Sequence, residues 1–167
     1  MQKHWFVFYT KSRQEKKVKD LLDKRGFEAF LPMQTVVRQW TDRKKKVEVP
    51  LFNSYIFAFD FEHRIPEILQ IPGLAWNIKH NGKPAVLRDD ELATIKRFLS
   101  TGLTLEALPF DRQFLNAGSK ARILDGPLKG QEGIVLGTAD EETFNVGLES
   151  IDQIIRVKIP GFLLKKI

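Results

Sequence analysis

Cysteine is absent from the chain, which excludes disulfide staples and thiolate metal or redox chemistry. Histidine is scarce, and His4, His63 and His80 fall at no ligand-like spacing, so no metal centre is expected. No apolar run approaches the ~20 residues of a membrane-crossing helix, and no membrane partner is expected. The N-terminus runs directly into Trp5-Phe6-Val7-Phe8-Tyr9 without a small-residue cleavage pattern, so the cytoplasm is the expected compartment. Catalytic signatures are missing as well. No serine sits in a nucleophile elbow, and no glycine run has phosphate-loop spacing. The acidic cluster Asp89-Asp90-Glu91 is better explained by capping and by the dipole of a helix that starts there. The expectation is a protein that is not an enzyme, with no catalytic residues, no metal and no cofactor.

What is present is an ordinary soluble composition of 167 residues, 43% hydrophobic and 29% charged, with room for one medium or two small domains. The net charge of +6 is unevenly placed. Residues 114–167 carry seven basic and seven acidic groups, whereas residues 1–46 carry 13 basic and 5 acidic ones. An excess so concentrated suits a polyanion such as nucleic acid.

The run Pro50-Leu51-Phe52-Asn53-Ser54-Tyr55-Ile56-Phe57-Ala58-Phe59-Asp60 reads as a strand. Alternation puts Leu51, Asn53, Tyr55, Phe57 and Phe59 on one face and Phe52, Ser54, Ile56 and Ala58 on the other. Neither face is polar, so both need a cover: a helix layer, another domain or a partner protein. Before it, residues 5–10 form an alternating strand. Ser12 and Glu15 have capping-box spacing, Val18, Leu21 and Leu22 recur at helical spacing, and Gly26 ends the helix. Arg13, Lys16, Lys17 and Lys24 line its polar side. Residues 27–31 and 35–40 are extended around Pro32, and Thr41-Asp42-Arg43-Lys44-Lys45-Lys46 is a basic hairpin tip. A second helix is predicted over residues 63–70, a strand over 74–79, an Asn81-Gly82 turn, and a third helix begun by Asp89 or Asp90.

Residues 103–116 hold a proline and no sustained period, and are expected to be a linker. Beyond them come four short glycine-punctuated runs at 120–124, 133–136, 144–148 and 154–157, the pattern of a small β-barrel. Gly126, Pro127, Gly130, Gly133, Gly137 and Gly147 make helix across this region costly, at ~1 kcal/mol for each interior glycine and ~3 kcal/mol for proline. Strands are therefore expected there.

Gly118-Ser119-Lys120-Ala121-Arg122-Ile123-Leu124-Asp125-Gly126-Pro127-Leu128-Lys129-Gly130-Gln131-Glu132-Gly133-Ile134-Val135 resembles a KOW motif, in which Gly126, Pro127 and Gly130 shape the turn and Gly133 lets the chain bend. Residues 5–9 with Lys11-Ser12-Arg13-Gln14-Glu15, Phe30-Leu31-Pro32, residues 50–57 and Ile71-Pro72-Gly73 resemble the NusG N-terminal domain. The resemblance covers nearly the whole chain. It implies an α+β fold: a polymerase-binding domain over residues 1–102 with a mostly antiparallel sheet flanked by helices, a linker over 103–116, and a five-stranded all-β KOW barrel over 117–167. It implies a monomeric, non-enzymatic elongation factor that docks on the clamp helices of the largest catalytic subunit of RNA polymerase and suppresses pausing or termination. Tyr9, Phe52, Tyr55 and Phe57 match the family's docking aromatics. Lys11, Arg13, Lys16, Lys17, Arg43 and Lys44 are the expected contacts to non-template DNA or nascent RNA. Within the family the wording is more similar to the specialised RfaH and UpxY antiterminators, which serve capsule and other polysaccharide operons, than to housekeeping NusG. The barrel's implied partner is a small-subunit ribosomal protein or the termination factor Rho. The alternatives are a housekeeping NusG-type factor or a KOW-containing RNA-binding or ribosome-associated protein, and an aromatic double face would be wasted in the latter.

Overall fold

The aromatic run near the N-terminus becomes the central strand of the first sheet. In the computed structural model, which describes residues 1–138 and 141–167, the chain divides into two units, residues 1–33 with 52–92 and residues 34–51 with 93–167. In the first unit β1 (His4–Thr10) pairs antiparallel with β5 (Tyr55–Asp60) along its whole length, from His4 opposite Asp60 to Tyr9 opposite Tyr55. β2 (Glu28–Phe30) lies outside β5, while β6 (Leu74–Asn77) and β9 (Val86–Leu87) share the other edge of β1. Phe6, Phe8, Ile56 and Ala58 point to one face and meet Val18 and Leu22 of α1 (Glu15–Lys24) and Ile65 and Ile68 of α2 (Ile65–Ile68). Burying each large side chain in this layer contributes roughly 1.5–3 kcal/mol.

Three local readings of this unit change. The expected capping box does not form, because the helix begins later: Gln14 is its N-cap and makes no side-chain cap. Glu15 is instead buried, and its Oε1 accepts from the backbone N–H of Ser54 at 3.1 Å. The anchor strand is shorter than predicted, since Ser54 turns at φ +65° and β5 starts only at Tyr55. The second helix is a single α-turn preceded by a 3-10 turn over Glu62–Arg64. The two-residue Asn81-Gly82 connection holds, with φ of +51° and +77°, joining β7 (Lys79–His80) to β8 (Lys83–Pro84).

In the second unit, β3 (Met33–Gln39) and β4 (Lys44–Pro50) form a hairpin turned at Trp40, whose N–H donates to the Arg43 carbonyl at 2.7 Å. Lys44, Lys45 and Lys46 thus lie in a strand and not at the tip. Gln34 holds the base of the hairpin to Leu105, donating to its carbonyl at 2.8 Å and accepting from its N–H at 3.0 Å. α3 (Asp89–Leu99) crosses the division between the units. At its start Glu91 Oε1 accepts from Arg88 N–H at 3.0 Å. Its buried Phe98 stacks on buried Phe144 with centroids 6.5 Å apart.

The second sheet has six antiparallel strands in the order β10-β14-β13-β12-β11-β15, namely Glu106–Pro109, Gln153–Lys158, Glu141–Leu148, Glu132–Thr138, Ser119–Ile123 and Leu164–Lys166. Strands rather than helices occupy the glycine-rich region, as predicted. The stretch expected to be a linker carries β10 and α4 (Arg112–Asn116), whose Asp111 cap accepts from Gln113 and Phe114 N–H at 3.0 and 3.2 Å. Its proline hid it: Pro109 ends an edge strand, where a missing N–H is tolerated. Between β11 and β12, Gly126 at φ +89° and Gly130 at φ +86° frame a turn with Pro127 as its second residue, closed by Lys129 N–H to the Gly126 carbonyl at 3.1 Å. At Gly133 a Cβ would stand 2.6 Å from Phe144 Cζ and 2.7 Å from the Asn145 carbonyl oxygen, so the close approach of strands requires glycine. Among the described residues no helix is long and apolar enough to cross a membrane.

Candidate functional site

Helices α1 and α2 cover one face of the first sheet. Residues of the other alternation phase, Trp5, Tyr9, Tyr55, Phe57 and Phe59, gather on the opposite face. Ring contacts form a continuous path there: Phe59 to Trp5 at 5.2 Å, Trp5 to Phe30 at 6.2 Å, Phe30 to Phe57 at 6.1 Å and Phe57 to Phe52 at 6.4 Å. It continues from Phe52 to Tyr55 at 6.3 Å, Tyr55 to Tyr9 at 5.7 Å and Tyr9 to Trp76 at 4.8 Å. These separations fall in the range where aromatic pairs attract beyond simple area burial.

The docking set predicted from sequence is therefore brought together, by a route that strand alternation did not anticipate. Uninterrupted alternation would have sent Phe52 to the helix-facing side. The turn at Ser54 breaks the strand and returns Phe52 to Tyr55 and Phe57. Members of the set differ in access. Phe52 and Phe57 are 2% and 0% exposed, while Tyr9 and Tyr55 are half-buried. Trp76 is 56% exposed and stacks on Tyr9 with an interplanar angle of 1°. Sequence reasoning missed Trp76. Its only signal is the register that pairs β6 with β1 and sets Trp76 opposite Tyr9, and local periodicity does not reveal that.

The basic residues expected to meet nucleic acid fall in two segments, one in each unit. Lys11, Arg13, Lys16 and Lys17 are exposed at and just before the start of α1, in the first unit. The chain is fixed there by Lys11 N–H donating to the Gly73 carbonyl at 2.8 Å, and Arg13 takes φ +61°. Arg43 and Lys44 are exposed on the β3–β4 hairpin, in the second unit.

Other charged groups serve the fold. Arg64 pairs with Asp60 at 3.2 Å and Glu67 at 3.1 Å, and its hydrogen bond holds the Glu67 carboxyl below the usual range. Arg122 does the same for Glu132 at 2.7 Å. Among the described residues no three His, Asp or Glu side chains are grouped to hold a metal ion.

Comparison with known proteins agrees with this architecture. The chain is 29% identical to the transcription termination/antitermination protein NusG of Streptococcus pyogenes serotype M1, and equally to that of serotype M3, covering 80% of each chain. A solved structure titled "Domain interaction in Thermotoga maritima NusG" aligns with a TM-score of 0.58 at 20% identity, covering 100% of this chain and 98% of that one, a likeness of fold. The family model described as transcription termination factor NusG matches residues 3–96, the segment that holds all eight rings of the aromatic path. With more than half its length matched in this way, the chain belongs to the NusG family of transcription termination and antitermination factors.

Proposed function

We propose that this protein binds RNA polymerase through the aromatic face of its first sheet and suppresses pausing and termination during elongation. The observation that carries the reading is the eight-ring path ending in the open Tyr9–Trp76 stack, on the side of the sheet away from α1 and α2. Tryptophan and tyrosine backed by buried neighbours are the residues that concentrate binding energy at protein interfaces. Tyr9, Tyr55 and Trp76 make the contact, with Phe52 and Phe57 packed behind them. The occupant is the clamp-helix pair of the largest catalytic subunit, and bridging from there holds the polymerase in its elongating state. The basic segments at α1 and the β3–β4 hairpin face nucleic acid in the elongation complex. The six-stranded sheet acts as the KOW-type domain, tethering a ribosomal protein or Rho. The wording Phe30-Leu31-Pro32 and Pro50-Leu51-Phe52 supports a specialised antiterminator of a polysaccharide operon.

The test is the lifetime of a defined transcriptional pause, measured with purified bacterial polymerase. The protein shortens the pause, and Tyr9→Ala with Trp76→Ala abolishes the effect in a folded protein. A wild-type protein that neither binds polymerase nor changes pausing refutes the proposal.

A further inference from the structure

The β3–β4 hairpin carries a feature that a merely charged arm does not need. Its strands and turn hold five basic side chains, Arg38, Arg43, Lys44, Lys45 and Lys46, against two acidic ones, Asp42 and Glu48. At the turn, Trp40 is 49% exposed, and every residue from Val37 to Lys46 is exposed around it. The indole is not loose. Its backbone N–H closes the turn on Arg43 at 2.7 Å, and Lys45 Nζ stands 5.1 Å from the ring centroid. A cation over the ring fixes its orientation and covers one side, leaving much of the remaining surface to solvent. Arg38 stands two residues before Trp40 near the end of β3 (Met33–Gln39), and Arg43 lies across the turn from it, joined through its carbonyl. A large flat ring thus sits among cations at an exposed tip, where burial gives it no reward.

We infer that Trp40 is a stacking platform for an unpaired nucleobase, with Arg38, Arg43 and Lys45 receiving the flanking phosphates. Rings of this kind bind single strands with little regard for sequence, because every base presents a π face, while cations track the backbone. Duplex offers phosphates but no free base face, so the occupant is single-stranded nucleic acid, DNA or RNA. The inference rests on the proposed reading that this hairpin meets nucleic acid, and adds the atom-level mode of contact.

The test titrates the full-length protein with a short mixed-sequence single strand, as DNA and as RNA, and with the matching DNA duplex, at several salt concentrations. Wild type is compared with Trp40→Phe, Trp40→Ala and the double variant Arg43→Ala with Lys44→Ala. Both single strands are expected to bind more tightly than duplex. Trp40→Ala weakens single-strand binding about five- to a hundred-fold with an unchanged salt slope, and Trp40→Phe retains most of the affinity. The charge variant flattens the salt slope, and a preference between the DNA and RNA arms names the source of the strand. If Trp40→Ala binds like wild type while the charge variant is weakened, stacking is overturned and the charge reading stands. If neither variant matters, or if Trp40→Ala impairs only polymerase binding, the hairpin is not a nucleic-acid contact and both readings fall.

Discussion

Replacing Phe57 by alanine separates packing from docking on the aromatic face. Phe57 is 0% exposed and sits between Phe30 and Phe52, with ring centroids 6.1 and 6.4 Å away. Truncating a buried phenylalanine costs roughly 3–5 kcal/mol, from lost transfer free energy together with the cavity left behind. For a chain of this length each kcal/mol lowers Tm by roughly 2–4 °C, so Phe57→Ala should melt about 6–20 °C lower. Trp76→Ala removes a ring that is 56% exposed and stacks on Tyr9. Its stability loss should stay near the aromatic-pair value, about 0.5–1.5 kcal/mol. Polymerase binding should fall for both, but only Phe57→Ala should recover when assayed well below its Tm. The assay is a thermal melt followed by circular dichroism, paired with polymerase pull-down at two temperatures. A Phe57→Ala protein that melts with wild type and still loses binding would show that Phe57 is contact surface, and the packing argument would fail.

Further outcomes follow from the second sheet. Gly133→Ala places a methyl 2.6 Å from Phe144 and 2.7 Å from a backbone oxygen and should cost about 1–3 kcal/mol of stability by overpacking, whereas Gly161→Ala meets nothing within 4 Å and should be neutral in the same denaturant titration. Asn145, fully buried, donates from Nδ2 to the carbonyls of Ile134 and Thr143 at 3.2 Å. Asn145→Ala should therefore cost about 1–3 kcal/mol in chemical denaturation. Arg122 holds Glu132 below the usual carboxylate range, so this pair stabilises the fold above the ordinary Glu value and its contribution disappears as pH falls through the folded one. The Tm difference between wild type and Glu132→Gln should be small, present at neutral pH and absent in strong acid; a difference that grows on acidification would contradict the pairing.

Much of this was legible in residue order. Strand β1, helix α3 and the Asn81-Gly82 turn follow from alternation, helical spacing and a dipeptide whose two positive φ values few other residues adopt. Glycine content rightly favoured strands over residues 120–157, where β11 to β14 lie. The misreadings share a cause, which is that local pattern does not know its tertiary partner. Ser12 looked like a cap, but Glu15 found a part-buried backbone N–H at Ser54. Residues 106–109 looked like a linker because their strand character depends on β14 beside them. Phe52 reached the docking set through a positive φ at Ser54, a serine that carries no mark of it in the sequence. Trp76 joined the set only through the β1–β6 register. Trp40 entered the sequence reading only as the end of an extended run, because its exposure and its lysine neighbour are set by the folded hairpin.

The central claim, that the aromatic face docks on polymerase, is tested most directly by site-specific crosslinking. A photoreactive phenylalanine analogue is placed at Trp76 in one protein and at Lys24, exposed on α1 of the helix-covered side, in another. Each is irradiated in complex with core RNA polymerase, and the joined peptides are identified by mass spectrometry. The account predicts crosslinks from position 76 to the clamp helices of the largest catalytic subunit and none to them from position 24. Crosslinks to the clamp helices from position 24 with none from position 76 would contradict it.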